Sequence, residues 1–557
     1  MKTLAQHEST IADEFRRPPE VVMRLARMGS FHQTRLSFMR TLLRRLRKEQ
    51  WQFKRAVWEI NEQGFGRAVY SLTGPERTYS LVAFSHDLPD HMRSDRVIAT
   101  AWDATFALFD GVPTTADLDR LQDNVPKQEA GRISDSELSL SRANRSVRLW
   151  QHVIESLAAG KQPDREQLEA VGYLIRTTAV YGSGKFGAAD RLTICDRPEL
   201  SGPFQAEMLS VWLTRTFSVD LIEHIAACKG GDKAVVIEPA LRRRLGVGNS
   251  TGLGMAPFLI NHPSLLNNWM MAREEAIARV RSLPSADSDA INAFKQSFEQ
   301  AEHNVSQWHS EHPIQIEKLK DLNADLLAMR EYIEHQNLNE DLPWNRFYLW
   351  SEENLSLEGQ ELLASLLLEP YGELVDGLTQ CMDADEHLSF FIDGSMSIKR
   401  IREIIDTQCA WATEIDYQQK ENRARFWYTS AEKLEPRVGE RFDEPGAEYE
   451  VPLGVGFYID QMNQALASWD NEKILADFLI AHPEHRHTAR RLQNLAKNPY
   501  SEIQDNLIAS DMLPIDLLRC KLSFFGATKF DPRSDRWVRI CMYQDAPYPH
   551  ELLTIAP

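Results

Sequence analysis

The chain is poor in the residues and patterns that usually assign a function. Its six cysteines among 557 residues form no C-x-x-C pair, and none has a spacing to histidine that suits zinc. Cysteines this sparse make a disulfide framework unexpected, and no H-E-x-x-H motif is present. The sequence therefore predicts no metal site.

Long apolar runs and surplus basic charge are also missing. No window approaches 18 uninterrupted apolar residues, and the first twenty residues include acids without an apolar core. We therefore expect a soluble, cytoplasmic protein with no membrane partner. The net charge of −18 argues against a nucleic-acid partner, since phosphate contacts require surplus Lys and Arg. The clearest basic run, 40–48 (RTLLRRLRK), is interpreted as a solvated helix face that pairs with acidic residues.

Length and periodicity predict a mainly α, multi-lobed α+β fold, in which a helical bundle carries one or two small antiparallel sheets. Four regions are expected. They are an N-terminal helix with a small β-sheet region (1–113), a central helical domain with glycine-rich loops (114–284), a helical hairpin and helical region (285–420) and a C-terminal mixed α/β region (421–557).

Helix signals dominate after residue 114. The strongest periodic segments are 135–160, 165–181, 202–228 and 257–283, and the last three are expected to form the central bundle. The polar segment 287–335 has the pattern of a helical hairpin broken near His312-Pro313. Short runs of Val, Tyr, Phe and Ile between glycines predict strands at 56–60, 67–72 and 78–84.

Two glycine-rich runs are the most informative local feature. Residues 181–191 (YGSGKFGAADR) and 246–254 (GVGNSTGLG) together hold seven glycines beside cationic and hydroxyl side chains. Glycine lets the backbone approach another group closely, and loops rich in free N–H groups suit an anion. We expect the two runs to meet at one end of the bundle and to form one positively polarised site.

Neither run matches a nucleotide-binding motif. Phe186 occupies the position where a P-loop needs Ser or Thr, and the segment before the run reads as a helix end. The second run lacks the G-x-G-x-x-G spacing, and residues 239–245 read as helix between it and the nearest strand. The sequence therefore disfavours both a P-loop enzyme and a Rossmann site.

In the first run, residue chemistry suggests the roles. Lys185 would be a base or a charge clamp, and Arg191 would hold a substrate carboxylate. Asp190 would orient Lys185 or Arg191 and is therefore also a catalytic candidate. Tyr181 and Ser183 are expected to contact the substrate.

The second run supplies Asn249, Ser250 and Thr251, which are expected to cap a helix that begins near residue 253 or 257. With the free N–H groups there, Ser250 would stabilise developing negative charge, and Asn249 and Thr251 would bind substrate. The alternative is that both runs are plain helix-connecting turns.

His86 follows a predicted strand and has Asp87 and His91 nearby. Such a group could hold a His–Asp acid/base pair, and His86 is therefore a further catalytic candidate. The alternative is a polar turn that ends at Pro89.

Three function hypotheses follow. The first is an enzyme that acts on a small anionic metabolite, most simply a carboxylate, by cofactor-independent proton transfer of the lyase or isomerase type. The second places a nicotinamide or flavin cofactor across the same loops and makes the protein an oxidoreductase. The third is a non-catalytic helical scaffold or regulatory protein. A homodimer is compatible with each.

Overall fold

The computed structural model describes residues 12–89, 101–124, 134–177, 197–200, 202–252, 259, 263–382, 393–418, 427–429, 436–438, 448–450, 455–504, 515–534 and 537–555. Within these residues, every helix is too short or too polar to span a lipid bilayer. Every cysteine within them carries a free thiol.

The strands are β1 (Gln52–Ile60), β2 (Gly66–Thr73), β3 (Thr78–Ser85), β4 (Ala104–Asp110), β5 (Glu137–Arg145), β6 (Tyr173–Thr177), β7 (Gly246–Gly252), β8 (Trp427–Thr429), β9 (Pro436–Val438), β10 (Glu448–Glu450), β11 (Lys529–Ser534), β12 (Trp537–Met542) and β13 (Thr554–Ile555). Ten of them form one sheet in the order β11-β12-β7-β6-β5-β4-β3-β2-β1-β13, and the other three form a small sheet in the order β10-β8-β9.

The helices are α1 (Pro19–Val22), α2 (Leu25–Met28), α3 (Phe38–Lys48), α4 (Thr115–Asn124), α5 (Trp150–Ala158), α6 (Arg165–Val171), α7 (Gln205–Gly230), α8 (Pro239–Arg243), α9 (Pro263–Arg281), α10 (Ser288–Ser306), α11 (Pro313–His335), α12 (Pro343–Asn354), α13 (Leu357–Leu366), α14 (Gly372–Val375), α15 (Ile398–Gln408), α16 (Ala410–Thr413), α17 (Val455–Leu466), α18 (Leu475–Ala481), α19 (Arg486–Lys497), α20 (Ile515–Phe525) and α21 (Pro549–Leu552). Short 3₁₀ helices lie at Ala12–Phe15, Pro198–Leu200, Gly231–Lys233, Asp376–Cys381 and Pro483–His485.

The expected fold class, with one or two small antiparallel sheets around a helical bundle, is wrong. The main sheet is large and mixed: β1 to β5 form an antiparallel meander, whereas β6 pairs in parallel with β7, and β1 pairs in parallel with β13. The protein is nevertheless substantially helical. Parallel pairing joins segments that are distant in sequence, so no local sequence pattern predicts which strands pair in this way.

Two of the predicted helices contain strands. Segment 165–181 divides into α6 and β6, and the turn between them is Gly172, whose φ of +79° ends the helix in the left-handed region. Segment 135–160 begins with β5 and becomes helical only at α5. The strand residues of β5 are buried almost throughout, which removes the polar alternation that marks a half-exposed strand.

Other predictions are confirmed. Strands β1, β2 and β3 lie where the runs of Val, Tyr, Phe and Ile predicted them, and segment 202–228 forms the long helix α7. The hairpin at 287–335 is present as α10 and α11, which pack together, and Pro313 occupies the first turn of α11.

Helix α7 is enclosed by the rest of the protein from Gln205 to Val219, and its C-terminal end is exposed. Its buried side chains lie on all sides of the helix over most of its length, as expected for a helix with no face to solvent. It packs against the five neighbouring strands β3 to β7, and Phe217 makes edge-to-face contacts with Phe106 on β4 and with Tyr70 on β2.

The segment 543–548 crosses α7 and is tied to it by buried hydrogen bonds. Arg215, fully buried, donates to the carbonyl oxygens of Leu245 and Ala546 and stacks on the Tyr548 ring at 3.8 Å. Burial lowers the pKa of Arg215, which meets carbonyl oxygens here. The Trp212 indole adds a 2.8 Å bond to the Pro547 carbonyl, so the C-terminal segment fixes the position of α7.

A buried ionic cluster joins the segment before α3 to helices α9 and α13. Glu361 on α13 accepts hydrogen bonds from Arg17 (2.6 Å), Arg27 (2.7 Å) and Arg273. Glu274 on α9 accepts two more from Arg17. Burial alone would raise the pKa of Glu361, but the three guanidinium groups hold it well below its usual range.

A second, smaller core is separate from the main one. It is formed by apolar side chains of α15 to α19, among them Ile401, Met462, Phe478 and Leu492. A short antiparallel bridge between Ser397 and Ile474 joins the N-terminal ends of α15 and α18. These helices thus have a hydrophobic core of their own.

We predict that Glu361→Gln lowers the free energy of unfolding by about 3–5 kcal/mol, because it leaves buried guanidinium charge uncompensated. Equilibrium urea unfolding measures the effect. The control is Glu403→Gln, since Glu403 pairs with Arg400 on an exposed face and such pairs contribute at most about 1 kcal/mol. Equal losses for the two variants would contradict the role given to the cluster.

Candidate functional site

The structure tests only part of the predicted glycine-rich site. Its first run lies outside the described residues, and so do the candidates Tyr181, Ser183, Lys185, Asp190 and Arg191. Their roles stay predictions, as does the expected meeting of the two runs.

Residues 246–252 of the second run form strand β7, so the expected helix cap at Asn249, Ser250 and Thr251 is wrong. All three lie in β7, which pairs with β6 on one side and β12 on the other, and Asn249 is buried. The glycines serve close packing: a Cβ on Gly248 would lie 2.4 Å from the Tyr173 ring. The N–H groups expected to face an anion therefore belong to a strand inside the sheet.

Residues 248–252 (GNSTG) also match the letters of the G-x-S-x-G nucleophile elbow. That motif needs serine at a tight strand-to-helix turn. The backbone of Ser250 instead pairs with Arg539 within β7, two residues before the strand ends. The structural context therefore does not support a serine nucleophile at this position.

His86 lies just after β3, as predicted. Its ring Nε2 is 2.8 Å from the Thr105 hydroxyl, and burial lowers its pKa although Asp103 opposes the shift. A bond between His86 and Asp87 is not among the hydrogen bonds of the described residues. Asp87 is exposed and His91 lies outside the described residues. The arrangement gives His86 a hydroxyl partner rather than the expected carboxylate.

A cavity of about 630 Å³ opens at the other end of β3. We call it the α3 cavity, because one wall is the C-terminal half of α3. The other walls come from the β2–β3 turn and from the 3₁₀ helices Pro198–Leu200 and Asp376–Cys381. Since β3 spans roughly 23 Å, the cavity is well separated from His86.

The cavity exists beside α3 because this helix has two chemically different faces. Met39, Leu42 and Leu46 are buried in the main core, and Phe38 and Leu43 share their face. With 3.6 residues per turn, the opposite face carries Thr41, Arg44, Arg45 and Lys48, and these residues line the cavity. The apolar stripe thus fixes the direction of the cations.

Carboxylates also line the cavity. The groups that donate the shortest side-chain hydrogen bonds to three of them do not belong to the cationic face of α3. Glu49 accepts a 2.8 Å bond from the Trp51 indole, and the phenol of Tyr79 donates to Glu199. Asp376 accepts two bonds from Arg35, at 2.7 and 2.9 Å, and Arg44 is 3.1 Å from the same carboxylate. Glu76 is exposed in the β2–β3 turn.

Burial lowers the pKa of both arginines on this face of α3. Burial, helped by repulsion from Arg35 and Arg40, lowers the pKa of Arg44 to about 10 although Asp376 opposes the shift. Burial also lowers the pKa of Arg45, which donates a 2.6 Å bond to the Glu199 carbonyl. Within the described residues, Lys48 forms no ion pair. Arg44 is thus the cation of this face that combines burial with repulsion from neighbouring arginines.

Glu199 is the most enclosed carboxylate in the cavity wall, with a side chain 9% exposed. Arg77 of the β2–β3 turn lies 3.7 Å from it, and Tyr79 donates from behind. Burial and the Glu199 carboxylate raise the pKa of Tyr79, which keeps the phenol protonated as a donor. The Trp51 ring stacks on Tyr79 at 5.9 Å and supports this wall.

Sequence reasoning missed most of this site. The basic run 40–48 was noticed, and its interpretation as a face paired with acids holds for Arg40, which Glu369 binds through both oxygens. Lys48 is exposed, in agreement with a solvated face, and it also lines the cavity. The alternation of an apolar stripe and a basic stripe was the available signal for a wall, but nothing local in the sequence linked it to Glu199 or Asp376.

Comparisons of this chain with protein-family models, with curated proteins and with solved structures gave no match. Function therefore has to be argued from the site itself.

Proposed function

We propose that this protein binds a small anionic metabolite, most simply a carboxylate, in the α3 cavity and acts on it by proton transfer of the lyase or isomerase type. The observation that carries the proposal is the cationic face of α3, on which Arg44, Arg45 and Lys48 line a cavity large enough for a metabolite. Guanidinium groups suit carboxylate because their paired N–H groups match its two oxygens.

The end of a helix offers a simpler reason for some of these charges. Cations in the last turn stabilise a helix through its dipole, and Arg45, Arg47 and Lys48 all lie there. The dipole accounts for neither the cavity nor Arg77, which faces α3 from the β2–β3 turn. We therefore favour binding over a purely structural role for these residues.

Glu199 is the residue we propose as the proton acceptor. It lines the same cavity as the cations, so an anion held by Arg44 and Lys48 would share that space with the Glu199 carboxylate. The bond from Tyr79 would fix the orientation of that carboxylate. In this scheme Arg77 and Arg45 stabilise the negative charge that develops on the substrate.

Binding of an anion should stabilise the protein against heat. Phosphate, succinate, malate and citrate, compared at constant ionic strength with chloride, should include at least one that stabilises the protein by thermal shift. At about 100 times its Kd, such an anion adds about 2.7 kcal/mol. The double change Arg44→Ala and Lys48→Ala should remove most of this gain.

The matched control is Arg47→Ala, because Arg47 is exposed on the same helix and is absent from the cavity lining. It should retain the full stabilisation. A wild-type protein indifferent to every anion tried would argue for the scaffold hypothesis. Equal stabilisation of the wild type and the double variant would place anion binding elsewhere.

Proton transfer to and from a bound carboxylate should be measurable as hydrogen exchange. A carboxylate that binds should exchange a carbon-bound hydrogen for deuterium in D₂O, which NMR follows as loss of the C–H signal. Glu199→Gln should slow the exchange by about 10²–10⁴-fold, as expected for loss of a general base, and should leave binding intact. Exchange at the wild-type rate in this variant would remove Glu199 from the mechanism.

Two further points belong to the same proposal. We expect the protein in the cytoplasm, with neither a nucleic-acid nor a membrane partner, and a homodimer remains compatible with it. The nicotinamide or flavin hypothesis gains no specific support from the α3 cavity. It predicts instead that the purified protein is yellow or that NADH quenches its intrinsic fluorescence.

A further inference from the structure

Asp376 stands out among the carboxylates of the α3 cavity because two arginines on different segments share it. Arg35 precedes α3 and Arg44 lies within it, whereas Asp376 begins a 3₁₀ helix more than three hundred residues later. The carboxylate is 35% exposed, so it is accessible from the cavity.

The two arginines hold Asp376 unequally. Arg35 binds both carboxylate oxygens, at 2.7 and 2.9 Å, in the two-pronged geometry that is the strongest for this pair. Arg44 makes a single contact of 3.1 Å to Oδ1, an oxygen that Arg35 already occupies. Removing the Arg44 contact would therefore leave Asp376 bound.

A second acidic residue near α3 shows a different arrangement. Glu369 binds Arg40 through both oxygens and lies outside the cavity lining. It neutralises positive charge on the same helix, but it does not line the cavity that an anion would enter. The two acids thus differ in position more than in chemistry, which makes them a matched pair for an experiment.

We propose that Asp376 is a resident counter-ion, which occupies Arg44 when the cavity is empty and is displaced from it by the incoming anion. The inference rests on the proposed function, since it needs an anion that binds in the α3 cavity. On binding, the anion takes the Arg44 contact, and Asp376 stays on Arg35.

The exchange has a consequence for specificity. A ligand must replace the carboxylate it displaces, so a compact group with two or three oxygens, such as carboxylate or phosphate, competes best. A monoatomic anion such as chloride offers a single point of contact and cannot reproduce the geometry. Asp376 would thereby set a threshold that favours oxyanions over the chloride of the surrounding solution.

The test compares Asp376→Asn with Glu369→Gln and wild type by isothermal titration with inorganic phosphate and with succinate. Both substitutions remove one negative charge and nearly preserve shape. Asp376→Asn should tighten binding about fivefold, as expected when a competing, partly exposed ion pair is removed. Glu369→Gln should change affinity less than twofold. Asp376→Asn should also reduce the preference for phosphate over chloride.

The outcomes separate this inference from the proposed function. Binding by wild type with equal or weaker binding by Asp376→Asn would overturn the counter-ion role and leave the cavity site standing. Similar tightening in both variants would also overturn it, because general charge would then be the cause. Binding seen only in Asp376→Asn would support it. A lack of binding in all three proteins would defeat both proposals.

Discussion

The division of α3 into an apolar and a basic face is the constraint on which the site depends. Burial of Leu42 and Leu46 in the main core fixes the rotation of the helix, and each buried leucine contributes about 1.5–3 kcal/mol. Arg44 and Lys48 then have one direction in which to point. Solvation would normally draw such side chains outward, but the turn of β2 and β3 and the 3₁₀ helix at Asp376 enclose part of the space they enter.

The remaining structure holds these walls in register. The cluster around Glu361 ties the segment before α3 to α9 and α13, and Arg35 and Arg40 connect α3 to the 369–376 region. Charges this densely paired are rigid, because each carboxylate meets two or more donors. The opposite wall belongs to the main sheet, in which Tyr79 on β3 both packs in the core and donates to Glu199. A metabolite site between these walls would therefore be largely formed before a ligand arrives.

The sequence predicted those parts of the molecule that local periodicity determines. The long helix α7 and the meander strands β1 to β3 belong to this group. The place of β7 in the main sheet was not predictable, because its glycines resemble a flexible loop but are required by a neighbouring tyrosine ring. Its partner β12 lies almost three hundred residues away. The cavity was not predicted from the sequence for the same reason, because Glu199 and Asp376 approach α3 through tertiary contacts alone.

The central claim is that the α3 cavity binds an anion at its cationic face. A crystal soaked in selenate, a dianion whose selenium scatters X-rays anomalously, tests it most directly. The account predicts an anomalous peak within hydrogen-bonding distance of Arg44 and Lys48 at low millimolar selenate, with Asp376 moved off Arg44. An empty cavity with peaks confined to other surfaces would contradict it.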